Sequence, residues 1–159
     1  MKKTIKDKSG ITGKLRFITL KAGTEIVLRR SKWHKNLVVS NTDHGLNLVL
    51  QHLIGTTTYT LEITQAKIGD DNTAVTNNDT DLGNAIVSDI AIAKVTETTT
   101  SQITFEFFIA DSELAENTYE EFGIFATDQL FARTVISPAY VKSVGEDTKV
   151  EYVINLSNT

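Results

Sequence analysis

Ile103-Thr104-Phe105-Glu106-Phe107-Phe108-Ile109 places apolar side chains at alternate positions, with Phe108 the one exception among the intervening residues. That is the period of a strand with one face in a core. A polar break over 111–117 leads into Thr118-Tyr119-Glu120-Glu121-Phe122-Gly123-Ile124-Phe125. Ala126-Thr127-Asp128-Gln129 then leads into Leu130-Phe131-Ala132-Arg133-Thr134-Val135-Ile136, and four residues between apolar runs is a hairpin length. Val150, Tyr152, Ile154 and Leu156 alternate with Glu151, Val153 and Asn155, a run regular enough to be paired inside a sheet. The stretch from Ile103 to Leu156 is thus read as three connected strand pairs around which the rest is built.

Working upstream, Ile86 to Val95 reads as a strand with apolar residues on both faces, Ile86, Ile90 and Ile92 against Val87, Ala91, Ala93 and Val95, which predicts a central position. Leu61 to Gly69 reads as another strand, separated from it by the polar, acidic loop 70–84. Leu15–Leu20 and Glu25–Arg29, joined through Lys21-Ala22-Gly23-Thr24, predict a hairpin. One helix is predicted over about 43–54. Asn41, Thr42 and Asp43 offer N-caps, Leu46, Val49, Leu50 and Leu53 share a face at i, i+3, i+4, i+7, and Gly55 stands where a C′ glycine belongs. That stripe is expected to lie on the sheet. The fold class is mainly β: an antiparallel sandwich or barrel-like sheet of about eight strands with one helix. Residues 1–10 read as a flexible or docking tail and 11–159 as a single domain.

The 159 residues are 40% hydrophobic and 23% charged, values of a globular chain with a real core. There is no cysteine, so neither disulfides nor thiolate metal sites enter. No stretch reaches the roughly 20 apolar residues of a membrane span. Lys2, Lys3, Lys6 and Lys8 are not followed by an apolar run, so no signal peptide is expected. The net charge of −4 is unevenly spread. Residues 1–36 hold eleven Lys and Arg against two acids (+9), whereas residues 37–159 hold five against eighteen (−13). A solvated surface explains much of this, and the sharper reading has the basic part of one copy lying on the acidic body of another. With only Phe17 and Trp33 as aromatics, the basic part lacks a stacking platform, which argues against nucleic acid.

Catalytic chemistry finds little footing. There is no Gly-x-Ser-x-Gly elbow, and the nine glycines are scattered without a phosphate-binding cluster. Asn77 to Asp81 resembles the start of an EF-hand loop, but Leu82 stands where its turn glycine belongs and Ser88 where its bidentate Glu belongs. His34, His44 and His52 share no ligand spacing. The expectation is therefore no catalytic residues, no cofactor, no metal site and no small-molecule substrate. Glu113, Glu116, Glu120 and Glu121 are read as an acidic strand edge that discourages stray pairing. Arg133 has two readings, a cross-strand partner for a Glu on the neighbouring strand or a residue at a subunit boundary.

Glu116-Asn117-Thr118-Tyr119-Glu120-Glu121-Phe122-Gly123-Ile124-Phe125, then Gln129 to Ile136, Pro138 and the closing Leu156-Ser157, together resemble a group of small tailed-bacteriophage virion proteins. Lys35-Asn36-Leu37-Val38-Val39, Leu46–Leu53 and Ile68-Gly69 look like the same group, so the resemblance spans about 35–157. It rests on packing and turn positions and carries no catalytic motif. It implies a structural part of a virion: tail, fibre, tail tip or neck, with head decoration (cement) as the alternative. Such proteins are usually closed homo-oligomers, often trimers, contacting other virion proteins. The residues expected at assembly contacts are Lys2, Lys3, Lys6, Lys8, Arg29, Arg30, Trp33 and Arg133. A reading from another class is a receptor- or carbohydrate-binding module stacking sugars on Trp33, Tyr59 or Tyr119 beside loop 70–84.

Overall fold

The computed structural model describes residues 10–157. It holds β1 (Gly10–Lys21), β2 (Val27–Arg30), β3 (His34–Lys35), β4 (Leu37–Val38), α1 (Gly45–Ile54), β5 (Gln65–Gly69), β6 (Ala85–Thr99), β7 (Gln102–Ile109), β8 (Asn117–Ala126), β9 (Gln129–Lys142) and β10 (Glu146–Ser157). Every pairing is antiparallel, in the order β2-β1-β10-β7-β6-β5-β8-β9-β4, with β3 also on β1. The protein is a mainly β, curled sheet whose two halves face each other as in a sandwich.

Two short pieces of chain hold the halves in register. β6 pairs with β5 over Ala85–Ala91 and with β7 from Ile92 onward, so one strand serves both halves. It turns the corner at Asp89, whose φ of 58° sits in a register shift, and strands that change sheet do so at bulges of this kind. At the other side His34-Lys35 pairs with β1 and Leu37-Val38 with β9, with only Asn36 between them. The core closes between the halves on aromatic contacts. Phe17 stacks on Tyr140 at 4.4 Å, and Phe122 meets Phe107 edge-on at 5.7 Å and Phe17 at 6.1 Å.

Two expectations change, and a third holds in position but not in burial. Within 103–156 only β8 and β9 form a sequential hairpin; β7 pairs with β10 and β6, and β10 with β1. The links after Ile109 and Lys142 cross between halves, so β7 and β8 meet face to face through Phe107 and Phe122 rather than edge to edge. Strand β6 is central in the order, yet Ile86 and Val95 are exposed, because most of its length has a neighbour on one side only. Leu61 to Thr64 lies outside the sheet, and the strand begins at Gln65.

The helix is in place but rotated from its expected seat. Its cap position is His44, without a side-chain cap bond, and Gly55 ends it in the left-handed region at φ 68°. Gly45 is jammed under the chain: its φ is +48°, and a Cβ there would stand 2.0 Å from the Val39 carbonyl oxygen. That contact sets the roll of α1, putting Leu48 into the core and turning Leu46, Leu50 and Leu53 outward.

Candidate assembly surfaces

The acidic loop 70–84 is fastened to the sheet by a buried ion cluster. Glu121 on β8 is fully buried, and Arg133 on β9 is 3% exposed. Arg133 Nε donates to Glu121 Oε2 at 2.8 Å, and its Nη1 donates to Asp79 Oδ2 at 2.9 Å. The Gly83 and Asn84 amides complete the carboxylate, donating at 2.9 and 2.7 Å. Gly69 leaves room for this arrangement, since a Cβ there would meet the Asn84 carbonyl at 2.3 Å and Glu121 Oε1 at 2.5 Å. Burial would push the Asp79 carboxyl up, but hydrogen bonds from Thr76 and Arg133 outweigh it and hold it below the usual carboxylate range. Of the two readings of Arg133, this geometry supplies the cross-strand partner: the guanidinium is spent inside the chain and is not offered to a neighbour.

The other loop carboxylates diverge in the same way. Asp81 takes Lys67 Nζ at 2.9 Å, Asp70 the Asn84 side-chain amide at 2.6 Å, and Asp71 the Thr73 amide at 2.6 Å. Among the described residues no three His, Asp or Glu side chains converge as a metal-binding group. A second polar cluster ties down one end of the molecule. Fully buried Lys142 donates to Asp111 Oδ1 at 2.5 Å, while Asp147 accepts from the Gly23 and Asp111 amides at 2.8 Å each.

The helix α1, whose entry is tied to loop 70–84 by Ser40 N–H to Asn77 O and the Asn41 side-chain amide to Asn78 O, presents an apolar face to water. Leu46, Leu50, Leu53 and Ile54 are neighbours on one side of the helix. Leu50, Leu53 and Ile54 are 59%, 77% and 72% exposed. The ten residues contain no Asp, Glu, Lys or Arg, so nothing on the helix itself solvates that face. Beside it an apolar groove of about 570 Å³ runs between the halves, lined among others by Val49, Leu61, Ile63, Val95, Ile103 and Phe131. This surface was missed at the level of sequence because a stripe at helical spacing reads as a buried one.

The basic N-terminal half shows which expected contact residues are free. Lys2, Lys3, Lys6 and Lys8 lie outside the described residues. Arg29 is already bound to Glu146, with Nη1 to Oε1 at 2.5 Å and Nη2 to Oε2 at 2.8 Å, and this guanidinium holds the Glu146 carboxyl below its usual range. Arg30 is exposed, and no anion faces it among the described residues. Trp33 is partly exposed, but Lys14 Nζ and Arg16 Cζ each sit 4.6 Å from its ring centre, so the ring already serves as a seat for two cations of β1. Of the other two aromatic residues considered for sugar stacking, Tyr59 is exposed, whereas Tyr119 is fully buried with its hydroxyl donated to the Ala115 carbonyl. That corrects the reading of Tyr119 as a platform.

Comparison with known protein families, with curated proteins and with solved structures finds no match.

Proposed function

We propose that this protein is a non-enzymatic building block of a tailed-bacteriophage particle, working as a homo-oligomer in the tail, its fibres or the neck. The observation that carries the assembly part is the outward face of α1, where Leu50, Leu53 and Ile54 stand in solvent on a helix without charged residues. Apolar surface gathered in one place is costly in water, and the cost is relieved when another surface covers it. Four buried charged groups support a structural role as well. Glu121, Arg133, Lys142 and Asp147 are all engaged in fastening loops and turns of this chain. The virion part is supported by the resemblance over residues 35–157, whose Glu121, Gly123 and Arg133 fall in the β8–β9 hairpin and its ion cluster.

Two measurements test the two parts. Light scattering on the purified chain is expected to give a discrete oligomer at micromolar concentration; a monomer sinks the assembly reading. Gold-labelled antibody on phage particles is expected to mark the tail or neck. Label on the head shell would replace tail by capsid decoration, and unlabelled particles would end the virion reading.

A further inference from the structure

The sequence around Arg29 to His34 packs three cations and a histidine into six residues, and the fold arranges them around a cleft. This cleft, of about 670 Å³, opens between β2–β3 and the far part of β9, with Thr19, Arg30, Lys32, His34, Pro138 and Tyr140 among its walls. Glu146 neutralises Arg29, but Arg30 and Lys32 are exposed and have no acidic partner among the described residues. His34 is 5% exposed, and its Nε2 is enclosed without a hydrogen-bond partner. Burial, reinforced by Lys32, keeps the imidazole below its ordinary pKa, so it adds no charge of its own at pH 7 and the free positive charge of the cleft is that of Arg30 and Lys32.

The same chain carries the complement. Glu113, Glu116 and Glu120 lie at the start of β8 and just before it, and none has a cationic partner among the described residues. The loop 70–84 is the poorer candidate, because Asp79 and Asp81 are already paired with Arg133 and Lys67. We propose that the cleft beside Arg30, Lys32 and His34 receives the acidic edge Glu113–Glu120 of a second copy, with Arg30 and Lys32 meeting the carboxylates. This contact rests on the assembly reading above and adds to it a polar, register-setting interface distinct from the apolar face of α1.

The test is charge reversal in the full-length chain, read by sedimentation velocity at several salt concentrations. Arg30→Glu with Lys32→Glu, and separately Glu113→Lys with Glu116→Lys, are each expected to weaken association at least about tenfold, because like charges are then brought together. All four changes in one chain, or an equimolar mixture of the two double variants, should restore it. These side chains are outside the core, and an unchanged unfolding midpoint verifies that each variant is folded. Inorganic phosphate is the second probe: it should compete with association by occupying the cleft. If the wild-type chain is monomeric, the assembly reading itself fails. If the wild type assembles and neither reversal matters, or if phosphate binds near His34 without loosening the oligomer, this contact is overturned and the assembly reading stands.

Discussion

The acidic loop 70–84 and the helix α1 exchange the places their compositions suggest. The loop is polar and rich in Asp and Asn, yet Glu121 and Arg133 draw Asp79, Gly83 and Asn84 down onto the sheet. The helix is the most apolar segment of its length outside the strands, yet only Gly45 and Leu48 of its ten residues are buried. The difference teaches what each segment needs a partner for. The loop finds its partner, a buried guanidinium–carboxylate pair, within one chain. The helix has one anchoring leucine inside the chain, and its apolar stripe stands in solvent, free for the contact proposed above.

Breaking the loop side should have the largest effect. Arg133→Met removes one member of a buried ion cluster and leaves Glu121 uncompensated, which is expected to cost about 3–5 kcal/mol in urea unfolding at fixed protein concentration. A loss below about 1 kcal/mol would mean that water already reaches Glu121. Next comes the helix anchor. Leu48→Ala empties a fully buried site and should cost about 2–4 kcal/mol by the same measurement. The matched change five residues on, Leu53→Ala, removes the same atoms from a side chain 77% exposed. Its cost to the fold should stay within about 0.5 kcal/mol, with its effect appearing in self-association instead. Equal losses for the two leucines would erase the contrast between them.

Acid should loosen the loop before the sheet. The Asp79 carboxyl sits below its ordinary value of 3.8 in the folded protein. Its contribution is therefore complete above that value and is lost as pH falls through the lower, folded one. Amide exchange in residues 70–84, corrected for the intrinsic rate, is expected to be protected at neutral pH and to lose protection below about pH 3.8 while β8 and β9 stay protected. Protection unchanged in acid would show that backbone bonds alone hold the loop.

Much of the architecture was legible from period-2 patterning. Ile103 to Ile109, Thr118 to Ile136 and Val150 to Leu156 are strands close to where alternation puts them, and Gly55 ends the helix as its position implies. Pairing was less legible, because alternation states which residues share a face but not whether the next strand lies beside it or across the core. Phe107 and Phe122 illustrate this: they sit on consecutive strands yet meet edge-on across the core, one from each half. The roll of α1 was hidden for a related reason. Leu46, Val49, Leu50 and Leu53 do share a side, but periodicity does not say which molecule covers it, and the decisive steric fact is Gly45 against the Val39 carbonyl. Arg133 was half legible, since a Glu on the next strand was a natural partner; the reach to Asp79, 54 residues away in sequence, was not. Nothing in the sequence marked His34 as buried, and the only local signal was the pair of cations, Arg30 and Lys32, that precedes it.

The central claim is that the outward face of α1 is covered by another copy. Its most direct test is sedimentation velocity on the wild-type chain beside Leu50→Glu with Leu53→Glu, with the unfolding midpoint recorded for both. The account predicts a wild-type oligomer, a variant displaced toward monomer, and nearly equal midpoints when both are measured dilute. A wild type that sediments as a monomer at micromolar concentration, or a variant that assembles just as well, would contradict it.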